Sequence, residues 1–278
     1  MEVVKRLLHA GALGYVENAP FQRGKHRVLL ALHKLVGPAI YDVRGLKMSL
    51  SPRHLIDNFI IRQGAFHPEL VTFIEAAMAR GGHFIDVGAN IGFLSLVAAR
   101  AAAADAHVYA FEPSRREYAV LLEHIALNGL MNVTAFPYAV GAREEHSTLW
   151  LTDLDNPGRN SRYRPTDVVS EVPIKIARID SLLPAATFDG VACVKIDVEG
   201  DECAVLDGFE RVMPRLRRAA FIVEIAADNL ARAGHTVDDV YRFFERHGFR
   251  GCRPSRPDGD ADEVFVAAEA PDPPSLWF

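Results

Sequence analysis

The sequence predicts an α/β protein with a mostly parallel sheet covered by helices on both faces, preceded by a small α/β appendage. Three observations lead there. From Phe66 onward, short apolar runs alternate with helical patterns, the signature of parallel strands joined by crossover helices. The first of those runs ends in a glycine turn, FIDVGANIG at 84–92. The last two runs, 249–253 and 263–268, flank a Pro/Asp/Gly turn and read as an antiparallel pair at one end of the sheet.

Residues 1–62 read as the appendage. Stretches 1–11 and 24–36 have the look of short helices, and 40–43 and 46–50 flank Arg44-Gly45 as a hairpin. Ser51-Pro52 opens a further helix, since Ser caps well and Pro is tolerated in a first turn. Residues 63–270 form the main domain and 271–278 an extended tail, whose Trp277 and Phe278 are expected to cover an apolar patch. Within the main domain a helix over 67–79 ends at Gly81-Gly82, followed by a strand at 83–87, a helix at 91–104 and a strand at 107–111. Ser114 and Glu117 have capping-box spacing. They open a helix whose Tyr118, Leu121, Leu122 and Ile125 share a face and which Asn128-Gly129 closes. Strands follow at 133–138, 149–151, 172–177, 191–196 and 220–225, with helices at 202–212 and 237–247. The polar stretch between 151 and 172 is too long for a simple connector.

Composition narrows the function. The chain has 278 residues, 49% apolar and 24% charged, which excludes a disordered or low-complexity protein. With 31 Lys/Arg against 36 Asp/Glu, the balance argues against nucleic acid as a partner. Residues 1–62 hold ten Lys/Arg and only four Asp/Glu, read here as a solvated helix face meeting the acidic body. Cys193, Cys203 and Cys252 have no C-x-x-C spacing, so neither a disulfide framework nor a zinc site is expected, and Cys193 and Cys203 read as small core residues. No apolar run has the length of a membrane span and no leader is evident, so a cytoplasmic location is expected.

Two stretches carry the chemistry. In FIDVGANIG a strand ends near Asp86, Gly88 lets the backbone approach a ligand, and Asn90 stands where a dinucleotide loop would have glycine. The spacing Asp86, Gly88, Asn90, Gly92, with Ala89 between, resembles the loop of S-adenosylmethionine (SAM) methyltransferases, a resemblance that implies a cradle for the amino-acid end of the cofactor. The missing glycines disfavour an NAD(P) oxidoreductase. Glu112-Pro113, just past the second strand, supplies a carboxylate for a ribose diol. In VKIDVEGDE, alternation puts Lys195, Asp197 and Glu199 on one side, and Glu224 stands near the end of the next strand. A charge in a central strand needs a partner, so Lys195 is expected to pair with one of these carboxylates. Such a cluster can take a proton from a hydroxyl, hold an ammonium or bind a hard cation, and a divalent metal is not predicted. His235 is a weaker candidate base, and His83 reads as a strand-edge residue. Asn160 and Ser161 are candidate contacts to cofactor or acceptor, while Arg159, Arg162 and Arg164 read as exposed loop arginines.

Taken in order, DVGANIG, AFEP, the polar loop with its Asn and Ser, ARIDSLL and VKIDVEGDE resemble the FkbM family of SAM-dependent methyltransferases. The resemblance implies a Rossmann-like class I methyltransferase fold, a seven-stranded sheet with one antiparallel strand. It also implies SAM as donor, S-adenosylhomocysteine as product and a hydroxyl acceptor on a small metabolite, as in secondary metabolism. Carried over, Asp86, Gly88 and Asn90 would line the methionine end, Glu112 the ribose, and Asp197 and Glu199 the transferring methyl. The alternatives are an amine or carboxyl acceptor and a non-catalytic SAM-binding partner. No D/N-P-P-Y/F stretch follows the 191–196 strand, which counts against a nucleic-acid base as acceptor. A homodimer through the appendage or the tail is compatible with the sequence.

Overall fold

The computed structural model describes residues 1–18, 36–152, 160–163, 168–253 and 260–270. Nearly all of the expected 24–36 helix, together with Arg159, Arg164, Trp277 and Phe278, lies outside the described residues. Helix α1 (Glu2–Asn18) runs past the expected end at residue 11. Gly11 and Gly14 weaken a helix without stopping it. Strands β1 (Ala39–Val43) and β2 (Leu46–Leu50) pair antiparallel with Val43 opposite Leu46. Arg44 and Gly45 both take positive φ, 54° and 80°, as a two-residue hairpin turn demands. Helices α2 (Leu55–Gln63) and α3 (Pro68–Ala79) follow.

The main sheet is formed by β3 (His83–Val87), β4 (Val108–Phe111), β5 (Val133–Phe136), β9 (Val191–Ile196), β10 (Ala220–Ile225), β11 (Phe249–Gly251) and β12 (Ala261–Ala267). Their order is β11-β12-β10-β9-β3-β4-β5. Only β12 is antiparallel to its neighbours, so the sheet has seven strands with one reversed, as expected. A second sheet of β6 (Ala139–Val140), β7 (Glu145–Leu151) and β8 (Ser170–Ala177) extends beyond the 149–151 and 172–177 runs read from sequence. The strand expected over 133–138 breaks after Phe136, and the chain resumes pairing at Ala139 in this smaller sheet.

Alternation along the strands makes two cores. Phe84, Cys193, Ile222 and Val264 face the hairpin, α3, α4 (Phe93–Ala101) and α5 (Arg115–Asn128). Ile85, Val194, Phe221 and Phe265 face the other side. There they pack with the short helices α6 (Ile179–Leu182) and α7 (Ala185–Phe188) and with α8 (Glu202–Phe209), α9 (Ala227–Arg232) and α10 (Val237–Arg246). Phe244 stacks on Phe265 with ring centroids 3.9 Å apart and an interplanar angle of 10°, and Phe221 meets Phe244 edge-on at 5.1 Å. Such pairs each add about 0.5–1.5 kcal/mol beyond their burial. They hold β12 against β10, in a register that sets Asp262 opposite Glu224. The period of two thus carries Asp86, Lys195, Glu224 and Asp262 onto the face that the hairpin and α3 cover.

Candidate active site

The C-terminal ends of β3, β4, β9 and β10 surround a cavity of about 290 Å³. The turn after β3 is held against β4, because the N–H groups of Gly88 and Ala89 both donate to the Phe111 carbonyl at 3.0 Å. Gly88 has φ 86°, and a Cβ there would lie 2.9 Å from the carbonyl carbon of Asp197, with the carbonyl oxygen nearer still. Glycine is therefore the residue that lets the two loops close on each other. Asn90 takes φ 51°, turning its N–H to Glu112 Oε2 at 2.8 Å while its own side-chain oxygen accepts the Ile91 N–H at 2.8 Å. The turn consumes residues 88–92, so α4 starts at Phe93, two residues later than expected. Gly92 stands off the cavity: a Cβ on it would run into the Leu121 side chain, and its place is the packing of α4 on α5.

Glu112 lies at the cavity wall, nearly buried, and accepts the N–H groups of Asn90 and Ser114, each at 2.8 Å. One lone-pair direction on each oxygen is left over, enough for two hydroxyls of a diol. Burial pushes its carboxyl up to about 8, against the two backbone donors that favour the charged form. The expected capping box does not form at Ser114. Its hydroxyl donates to the Glu117 carboxylate instead, and the side chain makes no cap. Asp86 is buried beneath the turn, accepts the Ser95 hydroxyl at 2.5 Å, and is pushed up to about 6 by burial.

The carboxylate cluster sits opposite. Strand β9 ends at Ile196, and the Asp197 N–H donates to the Val87 carbonyl at 3.0 Å, continuing the ladder by one bond. Lys195, only 3% exposed at its side chain, pairs with Asp197 at 3.0 Å and with Asp262 at 3.6 Å. Burial alone would lower the lysine, yet Asp197, Asp262 and Glu224 hold it above its ordinary value. Burial raises Asp197, but the Lys195 charge and the hydrogen bonds from Glu224 and Lys195 together keep that carboxyl below the usual range. Glu224 yields to its neighbour: the Asp197 charge first, then burial, push it up to about 10. At neutral pH the Asp197–Glu224 pair therefore shares one proton.

Strand alternation does not reach Glu199, because the chain leaves the sheet after Ile196 and Glu199 takes φ 56°. Its carboxylate is brought back by Asn229, whose Nδ2 donates to Glu199 Oε2 at 2.6 Å. One oxygen each of Asp197, Glu199 and Glu224 falls within 4.8 Å of the others, a spacing able to hold a cation. Asn160 and Arg162 reach the cavity from the polar stretch, and the Ser161 hydroxyl donates to the Glu199 carbonyl at 2.7 Å. Arg162 pairs with Asp201 at 2.5 Å and Glu145 at 3.2 Å. Pro113 and Ala89 also line the cavity. His235 does not; it follows α9, its N–H bonded to the Leu230 carbonyl.

Sequence reasoning missed Asp262, Asn229, Ser95 and the apolar wall of Leu55, Ile56 and Phe66. Ser95 carried a weak signal, standing in the first turn of the helix that follows the glycine loop. Asp262 carried none, since only the β10–β12 pairing brings it to Lys195.

A strand-end glycine turn, a buried carboxylate with acceptor capacity to spare and an acid–lysine cluster thus surround one cavity. The family model for the FkbM methyltransferase domain matches residues 86–250, more than half of the chain, and the protein belongs to that family. No curated protein matches the sequence. Among solved structures, the chain is similar to M. jannaschii TYW2 in complex with AdoMet, at 13% identity and TM-score 0.41, covering 82% of this chain and 84% of that one. It is also similar to the precorrin-6y C5,15-methyltransferase of Geobacter metallireducens GS-15, at 14% identity and TM-score 0.39, covering 71% and 85%. The ribosomal protein L11 methylase of Lactobacillus delbrueckii subsp. bulgaricus gives 15% identity and TM-score 0.38, covering 71% and 77%. Among the described residues no helix is long and apolar enough to cross a membrane.

Proposed function

We propose that this protein transfers a methyl group from SAM to a hydroxyl oxygen of a small molecule. The residues suit the donor. Glycine at 88 leaves room beside the Asp197 loop, Asn90 turns its own N–H towards Glu112, and Glu112 keeps acceptor capacity for a ribose diol. SAM supplies, when bound, a methyl group made electrophilic by its sulfonium. The protein's own part is alignment, exclusion of water and management of one proton. Asp197, about a third exposed at its side chain and held ionised by Lys195, accepts the proton of the acceptor hydroxyl as the oxygen becomes nucleophilic. The proton shared with Glu224 keeps the pair from carrying two negative charges, and Glu199, fixed by Asn229, orients the acceptor.

The observation that carries this reading is the Lys195–Asp197 pair at the mouth of the glycine turn, which keeps one carboxylate charged on the cavity. The experiment is transfer of labelled methyl from SAM to a panel of hydroxylated, amino and carboxylic metabolites, with product position read by NMR. Label on oxygen, lost in Asp197→Asn with the fold intact, supports the proposal. Label on nitrogen or on a carboxylate refutes the hydroxyl acceptor, and full transfer by Asp197→Asn refutes the proton-accepting role.

A further inference from the structure

Helix α1 carries an apolar stripe on its outer side. Its inner side is mixed: Ala12 and Leu13 are buried there beside Glu2, Lys5 and His9, while Arg6 is exposed. On the inner side the Glu2 carboxylate accepts the Ile40 N–H at 2.8 Å, and Lys5 donates to the Pro38 carbonyl at 3.2 Å. His9, fully buried, meets the Tyr41 hydroxyl at 2.8 Å and the Gly37 carbonyl at 3.1 Å. On the outer side Val3, Val4, Leu7 and Leu8 are 60%, 58%, 68% and 47% exposed. Their i, i+1, i+4, i+5 spacing makes them one continuous face. Among the described residues, α1 thus shows solvent an apolar stripe of Val3, Val4, Leu7 and Leu8 beside the exposed Arg6.

We propose that this face docks on an anionic lipid surface, α1 lying in the plane of the interface. Charge selects this occupant. Residues 1–62 carry ten Lys/Arg against four Asp/Glu, and the stretch 19–35, which directly follows α1, has four Lys/Arg and no acidic residue. An apolar helix face followed in sequence by a basic segment is the combination that inserts shallowly among anionic headgroups. A second copy docked through the same face would set these like charges opposite one another. The arrangement also gives the docked region a bearing on the cavity. The hairpin that anchors α1 through Ile40 and Tyr41 leads directly into α2, whose Leu55 and Ile56 line the cavity, with Leu55 itself 46% exposed.

The test is co-sedimentation of the full chain with vesicles of phosphatidylcholine alone and of phosphatidylcholine mixed with phosphatidylglycerol. Binding to the mixed vesicles should exceed binding to the neutral ones about tenfold and fall as salt is raised. The double variant Val4→Glu, Leu7→Glu, altered only at exposed positions, should lose that binding while its urea unfolding midpoint stays unchanged. No binding to either vesicle overturns the proposal, as does undiminished binding by the folded variant. So does a wild-type dimer in sedimentation equilibrium that the variant converts to monomer, because a second copy then covers the face.

Discussion

Replacing Gly88 by alanine separates what the backbone needs from what the cavity needs. An added Cβ would lie 2.9 Å from the Asp197 carbonyl carbon. Carbon atoms pack at about 3.5–4.0 Å and the carbonyl oxygen lies closer than the carbon, so the loop must retreat by more than about 1 Å. Two costs add. A non-glycine residue at φ 86° costs about 1–2 kcal/mol, and overpacking against backbone a further 1–3 kcal/mol. The retreat also moves Asp197, and a shift of roughly 1 Å in a positioned group costs about 100-fold in rate. Gly129 is the control. It has φ 60° at the C-terminal cap of α5, with nothing within 4 Å of its added Cβ. Gly129→Ala should therefore cost only the conformational part, about 1 kcal/mol, and leave S-adenosylhomocysteine binding untouched. Urea denaturation and calorimetric titration of both variants make the comparison. A Gly88→Ala protein that matches Gly129→Ala in stability and in ligand affinity refutes the close approach of the two loops.

Glu112 gives a pH dependence with a definite sign. Its folded value of about 8 stands above the ordinary 4.5, so between these the native state holds one more proton than the unfolded chain. Its contribution to stability is complete below 4.5 and is lost as pH rises through about 8, by roughly 1.4 kcal/mol per pH unit. Glu112→Gln should flatten that part of the profile in urea titrations at several pH values, and an unchanged slope refutes it. Lys195→Met leaves Asp197 and Asp262 without their cation; because Asp197 is a third exposed, the cost should sit near about 3 kcal/mol, the low end for a broken buried pair. Equal stability of that variant would show that the pair is not buried. Tyr241→Phe removes the hydroxyl that donates at 2.5 Å to fully buried Glu263 and should cost about 1–3 kcal/mol without changing ligand affinity, as denaturation and calorimetry can show.

The legibility of this protein in its sequence divides along the range of the interactions. The glycine turn, the Glu112 carboxylate and the acid–lysine run lie within single strand–loop units, where period and turn chemistry are enough. Gly88, Asn90, Glu112, Lys195 and Asp197 consequently line the cavity. The two-residue hairpin turn at Arg44-Gly45 was legible for the same reason. Long-range pairing hid the rest. Asp262 reaches Lys195 only through the reversed strand β12, and Asn229 reaches Glu199 only because helix α9, which follows β10, packs against the loop after β9. Glu199 shows the failure of a good rule carried one step too far: alternation stops where the ladder stops, at Ile196, and a left-handed residue then sets the direction. At Ser114 the local capping rule lost to a buried carboxylate, Glu117, that took the hydroxyl for itself.

The central claim is that the cavity behind the glycine turn is a SAM site. Titration calorimetry of the purified chain with S-adenosylhomocysteine, beside NAD and NADP, tests it most directly. The account predicts micromolar binding of S-adenosylhomocysteine alone, weakened severalfold or more by Glu112→Ala. Heat from a dinucleotide with silence from S-adenosylhomocysteine would contradict it.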